Sequence, residues 1–228
     1  LALLGAGTIY EMTRGIRFDN RAELVDLFGL AGRDCRDDRA PAWFGVVGAL
    51  VGLGVGGAWW VAGELWPPLL AAVIAVAVDA ALTGFLHLDG LADSADGLLP
   101  PVARARRLAI MTAPDVGAFG VAAPVDVLVA RVATLADLTP DVLLVAGLWA
   151  ASRAAMGVTM GLVPYAREEG IASGFAGRSV APAAVTAVVA LAVVAVAVGG
   201  WAGPVTALAA AGGFAAVVGL AKRRIGGY

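Results

Sequence analysis

The residues best suited to chemistry lie together in His87-Leu88-Asp89-Gly90-Leu91-Ala92-Asp93-Ser94-Ala95-Asp96-Gly97. His87 is the only histidine of the chain, and three carboxylates follow it in the same stretch. Asp89, Asp93 and Asp96 are spaced i, i+4 and i+7, which predicts one shared helix face. Three carboxylates on one face repel each other and require a cation. Oxygen donors favour Mg²⁺, commonly held by one or two carboxylates together with substrate phosphates. Such an ion neutralises phosphate charge and orients a leaving group. Zinc fits poorly, because no cysteine is near and there is no second histidine. Gly90 and Gly97 let backbone or substrate approach closely. The plainer alternative is a helix end whose acids are solvated at a membrane surface. His87 suits a general base, a phosphate contact or a packed ring.

The elements that must position this stretch are apolar. The chain has 228 residues, 60% of them hydrophobic and 15% charged, and its mean hydropathy is +0.86. A soluble domain is about 45–50% apolar and about 25% charged. The excess is Ala, Val, Leu and Gly, as in tightly packed membrane helices. The composition therefore predicts an all-α, polytopic membrane bundle. The net charge of −2 is uninformative about partners, and nucleic acid is not expected among them. Membrane lipid is, and a second copy of the chain is admissible. Cys35 is the sole cysteine, so no intrachain disulfide forms.

About 20 apolar residues cross about 30 Å of hydrocarbon. Six candidate spans follow, about 43–65, 68–86, 116–136, 141–163, 180–200 and 203–221. They form a single transmembrane domain over 42–228, preceded by a polar, partly helical leader over 1–41 with helix expected at Arg21 to Leu30. Of the 16 Lys and Arg, all but Arg131 and Arg153 fall in the leader, in alternate loops or in the tail. The positive-inside bias then puts both termini in the cytoplasm. The His87–Gly97 stretch and the loop from Tyr165 to Ser179 share that side and are expected to converge.

Several other residues have two readings. Arg167 serves either as a bidentate diphosphate clamp or as a positive-inside anchor. Tyr165 is either an interfacial residue or a substrate contact. Arg131 and Arg153 sit inside spans, where a charge costs roughly 2.5–3.5 kcal/mol on the insertion scale. Arg131 is expected to pair with Asp79 or Asp126, and Arg153 to face the site. Asp115 is expected to cap the third span, with a fourth acidic ligand as the alternative. Arg104, Arg106 and Arg107 read as topology determinants and lipid contacts. Trp59, Trp60, Trp66 and Trp201 read as interfacial anchors.

The segment LTGFLHLDGLADSADGL, Leu82 to Leu98, resembles the long motif G-x-x-H-L-D-G-L-A-D-x-x-D-G of the cobalamin synthase (adenosylcobinamide-GDP ribazoletransferase) family. MTAPDVGAFGV from Met111, Arg153, VPYAREEGIASGF from Val163 and KRRIGGY from Lys222 resemble later segments of that family, in the same order. The resemblance covers roughly residues 42–228. It implies an enzyme of the prokaryotic inner membrane that uses Mg²⁺. Such an enzyme joins α-ribazole, or its 5′-phosphate, to adenosylcobinamide-GDP and releases GMP. It implies catalytic and metal-binding roles around His87, Asp89, Asp93 and Asp96. Substrate contacts are implied at Gly90, Gly97, Arg153, Tyr165 and Arg167. The family's early Thr-Arg-x-Pro turn is replaced here by Thr13-Arg14-Gly15-Ile16. Its last motif continues past Gly-Gly-x into a Thr-Gly-Asp element and another apolar helix, so a truncated form is expected.

Two other readings compete. A CDP-alcohol phosphotransferase also sets spaced aspartates at a membrane face, but its pattern needs an arginine after Ala92 and a second aspartate pair. A transporter would use Asp79, Asp126, Arg131 and Arg153 near the midplane. The acidic cluster at one surface favours an enzyme.

Overall fold

A computed structural model describes residues 40–166 and 179–228, and the expectations for the leader through residue 39 and for Arg167 lie outside the described residues. Eight helices are described: α1 Ala40–Leu65, α2 Pro68–Leu82, α3 Leu86–Leu98, α4 Arg104–Ile110, α5 Ala118–Asp137, α6 Val142–Leu162, α7 Ala181–Val198 and α8 Ala202–Ile225. Among the described residues there is no strand. The all-helical expectation holds.

Five helices are long and apolar enough to cross a membrane: α1, α5, α6, α7 and α8. The expected second span, about 68–86, is broken. Helix α2 has 15 residues, about 22 Å at 1.5 Å per residue, which is short of about 30 Å of hydrocarbon. The chain then turns by 88° into α3, and the count reaches six only if this bent pair is one span. The turn is built from local chemistry. Thr83 Oγ1 donates to the Asp79 carbonyl at 2.8 Å, satisfying an acceptor at the helix end. Gly84 and Phe85 follow with φ of 57° and 59°, two left-handed residues in succession. Glycine takes this conformation freely, whereas phenylalanine does so at a cost.

The core lies where α1, α2 and α6 meet. Val51, Val55, Trp59, Ala62, Ala71, Ala75 and Val145 form it. Trp59 is only 1% exposed, so it is a core residue rather than the interfacial anchor expected; Trp60, Trp66 and Trp201 are exposed. Helices α1 and α6 touch backbone to backbone along Gly48, Gly52 and Gly56. A Cβ there would meet Trp149 O at 2.5 Å, Ala146 Cα at 2.7 Å and Val142 Cα at 2.9 Å. Close approach of this kind replaces the hydrophobic drive that lipid cannot supply. Asp141 caps α6, accepting from the Leu144 amide at 3.0 Å. Helix α7 packs on α6 and α1, α8 on α7, α5 on α2 and α3, and α4 on α3.

One polar cluster ties α2, α5 and α6 together. The Asp79 carboxylate of α2 accepts from Arg131 Nη2 of α5 at 2.7 Å and from Trp149 Nε1 of α6 at 2.7 Å. The guanidinium of Arg131 also lies 5.0 Å from the Trp149 ring centroid. Of the two partners expected for Arg131, the structure uses Asp79. This arrangement satisfies a carboxylate that would be costly among spanning helices.

Candidate active site

Helix α3 carries the acidic motif, and its three carboxylates become progressively more buried along its length. Asp89 is exposed, Asp93 half-buried and Asp96 buried. Both oxygens of Asp96 are engaged: Oδ2 accepts from the Gly117 amide at 2.6 Å and Oδ1 from the Gly120 amide at 2.8 Å. Asp96 thus supplies the N-terminal cap of α5 from another helix. Asp115 is exposed and makes no cap, which corrects the expectation for it. The glycines are required, because a Cβ on Gly117 would lie 2.6 Å from Asp96 Oδ1 and one on Gly120 closer still.

The far end of α3 is held by α4. Arg107 is 4% exposed, and its Nη1 donates to the Gly97 carbonyl at 2.8 Å and the Leu98 carbonyl at 2.9 Å. It caps α3 rather than meeting lipid, contrary to expectation. Gly97 is buried under Met111, whose side chain occupies the space a Cβ would need. Its smallness therefore serves packing in this arrangement. Gly90 has nothing within 4 Å of where a Cβ would be.

A cavity of about 230 Å³ opens beside α3, lined by Gly90, Asp93 and Ser94, by Leu108 and Met111, and by Tyr165, Ala166, Ile225 and Tyr228. The expected convergence of the acidic stretch with the segment after α6 is therefore found, at Tyr165 and Ala166. The wall opposite α3 is backbone pairing. The Tyr228 amide donates to the Pro164 carbonyl at 3.2 Å, and the Ala166 amide donates to the Tyr228 carbonyl at 3.0 Å. The Tyr165 and Tyr228 rings pack at 5.3 Å. The Tyr228 hydroxyl is buried without a hydrogen-bond partner among the described residues. Burial, and then the neighbouring Tyr165, push that phenol above its ordinary range.

Arg104 clamps the same wall. Its Nε donates to the Ile225 carbonyl at 2.6 Å and its Nη2 to the Ala166 carbonyl at 3.3 Å. Reading Arg104 and Arg107 as surface charges missed both caps. Their i, i+3 spacing, which puts them on one face of α4, was the available signal. Arg106 is exposed, as expected.

The opposite end of α3 has a different character. His87 is exposed, and Arg153 of α6 is half-buried. Both lie within electrostatic reach of Asp79 and Arg131, and Arg153 acts on His87. Arg153 Nη1 donates to Ser152 Oγ at 2.9 Å. Arg153 is not among the residues that line the cavity.

Among the described residues, no group of three His, Cys, Asp or Glu side chains comes together to hold a metal ion. Asp96 is engaged by backbone amides, Asp93 lines the cavity, and Asp89 lies one helical turn before it on the exposed part of α3. Two carboxylates completed by substrate phosphates and water form a donor set that suits Mg²⁺.

The sequence matches a known protein family. The family model described as Cobalamin-5-phosphate synthase matches residues 30–228. The adenosylcobinamide-GDP ribazoletransferase of Desulfitobacterium hafniense is 41% identical over 135 residues, 55% of this chain and 53% of that protein. The enzyme of the same name from Citrobacter koseri is 38% identical over 145 residues, 61% of this chain and 58% of its own. That from Bradyrhizobium diazoefficiens is 40% identical over 143 residues, 60% and 55% respectively. The chain spans about half the length of these curated relatives. No solved structure matches it. With the family model covering all of the described helices, the chain belongs to the cobalamin-5-phosphate synthase family.

Proposed function

We propose that this chain is a membrane transferase that joins α-ribazole, or its 5′-phosphate, to adenosylcobinamide-GDP and releases GMP. The observation that carries the reading is the cavity in which Gly90 and Asp93 of α3 face Tyr165 and Tyr228. The names of the relatives support the substrates. A ribazole hydroxyl oxygen forms a bond to the phosphorus nearer the corrinoid. The diphosphate P–O bond breaks, and GMP leaves with the electron pair. His87 accepts the hydroxyl proton. Such a transfer depends above all on in-line positioning and charge neutralisation.

Asp89 and Asp93 would hold Mg²⁺, which when bound offsets the charge of the diphosphate. Asp96 acts as a positioning residue that fixes α3 against α5. Arg153, Tyr165 and Arg167 contact substrate. The site opens on the cytoplasmic face of a prokaryotic inner membrane, in keeping with the bias of the loop cations. The carrier reading loses ground because Asp79 and Arg131, two of its intramembrane charges, engage each other.

The test incubates membranes holding the full-length protein with adenosylcobinamide-GDP, α-ribazole and Mg²⁺. Mass spectrometry is expected to find the cobalamin product and GMP in equal amounts. No product under these conditions overturns the transferase. Full activity in both Asp89→Ala and Asp93→Ala overturns the metal assignment.

A further inference from the structure

The cavity beside α3 is chemically two-sided. Asp93 and Ser94 line it from α3, while Leu108, Met111, Ile225 and the two tyrosines, Tyr165 and Tyr228, give it apolar walls. A phosphate oxyanion is costly to bury against such walls and a carboxylate, whereas an uncharged ring is stabilised there. At about 230 Å³ the cavity is smaller than the roughly 300–1,000 Å³ that enclose drug-sized ligands, so it suits a bicyclic base and not a corrin ring. One polar group of the tyrosine wall is idle. The Tyr228 hydroxyl is buried without a hydrogen-bond partner among the described residues. A buried donor left unpaired is destabilising, which calls for a partner from outside the chain. The ring that carries it is held by the backbone bonds of Tyr228 to Pro164 and Ala166. A Cβ on Gly227 would lie 2.9 Å from the Ala166 nitrogen, so these two segments pack closely.

We propose that this cavity is a base pocket, and that Tyr228 is a specificity-determining residue whose hydroxyl donates to the free ring nitrogen of the base of α-ribazole. This deepens the transferase reading and rests on it for the identity of the ligand. That base is a dimethylated benzimidazole. One ring nitrogen carries the ribose, the other keeps a lone pair, and the rest of the ring is apolar. Its single acceptor matches a single buried donor, and its ring matches the tyrosines and the Met111 thioether. Burial keeps the Tyr228 phenol protonated, as donation requires. Guanine, the other base in the reaction, presents several donors and acceptors along its edge. With Asp93 assigned to the ion, the Tyr228 and Ser94 hydroxyls would leave part of that edge unpaired, which disfavours guanine here.

The experiment places the full chain in nanodiscs of phosphatidylcholine. Equilibrium dialysis measures binding of α-ribazole and of its deaza analogue, in which C–H replaces the free ring nitrogen. The native protein is expected to bind α-ribazole about tenfold more tightly than the analogue. Tyr228→Phe keeps the ring and removes only the hydroxyl, so it is expected to bind the two ligands equally. Because that hydroxyl has no partner in the fold, the variant should also unfold at the native temperature or above it, which separates lost recognition from lost structure. The pocket assignment is overturned if the native protein binds both ligands equally or neither, or if Tyr228→Phe keeps the preference. It is also overturned if Tyr228→Phe weakens GMP binding about tenfold and leaves the ribazole preference intact, because the phenol then serves guanine. Turnover of α-ribazole with adenosylcobinamide-GDP tests the transferase separately. Product formed by a native protein that shows no preference for the ring nitrogen overturns the pocket alone.

Discussion

The Gly120 amide donates to Asp96 Oδ1 at 2.8 Å, so an acidic side chain of α3 caps α5. A motif carboxylate is thereby committed to holding two helices together. Asp96→Ala would leave the Gly117 and Gly120 amides without their acceptor, at a cost of about 2 kcal/mol in stability. Asp89→Ala, at an exposed position, should change stability by less than about 0.5 kcal/mol. Thermal unfolding in detergent, followed by fluorescence-detected size exclusion, checks the contrast. Equal losses for the two variants would remove the structural role of Asp96.

The Asp79–Arg131 pair lends itself to a double-mutant cycle. Removing one partner strands a buried charge, and about 3 kcal/mol is expected for Asp79→Asn or Arg131→Gln alone. The double variant should lose less than the sum, because neither charge is then stranded. Denaturant titration of the purified protein gives all four values. Strict additivity would show the two residues to be energetically independent.

The seam between α1 and α6 predicts a steric effect. Gly52→Leu would place side-chain atoms where the Ala146 backbone lies, and overpacking of this kind costs about 1–3 kcal/mol. Gly57→Ala, where nothing lies within 4 Å, is the matched control and should be neutral. Thermal stability of the two variants distinguishes close packing from a general intolerance of larger residues on α1.

Chelation tests the proposed ion. EDTA should abolish transfer, and added Mg²⁺ should restore it. Asp89→Asn and Asp93→Asn should each lower kcat by about a hundredfold and raise the Mg²⁺ needed for half-maximal rate. Unchanged Mg²⁺ dependence in both variants would remove these residues from the proposed ion site.

Much of the fold was legible in hydropathy, because a span is a local property of about 20 residues. The helix carrying Asp89, Asp93 and Asp96 was legible instead from their i, i+4, i+7 spacing. The break at Thr83–Phe85 was not, since the apolar run continues through it and only Gly84 marks it. The capping contacts of Asp96, Arg104 and Arg107 were not legible, because their acceptors and donors are backbone groups distant in sequence. No residue type advertises a free amide at the start of α5 or free carbonyls at the ends of α3 and α8. Trp149 gave no signal either. Its bond to Asp79 depends on how α6 is rotated, which the glycine seam with α1 determines.

The pairing of Pro164 and Ala166 with Tyr228 has a consequence for biosynthesis. At translation rates of about 5–20 residues per second, Tyr228 is made roughly three to twelve seconds after Ala166. Throughout that interval the nascent chain already carries every carboxylate of α3, yet one wall of the cavity has no partner. The site is therefore completed only after α8 has been inserted. A ribosome-bound intermediate holding α1 to α7 has the acidic motif without the Tyr228 wall of its cavity.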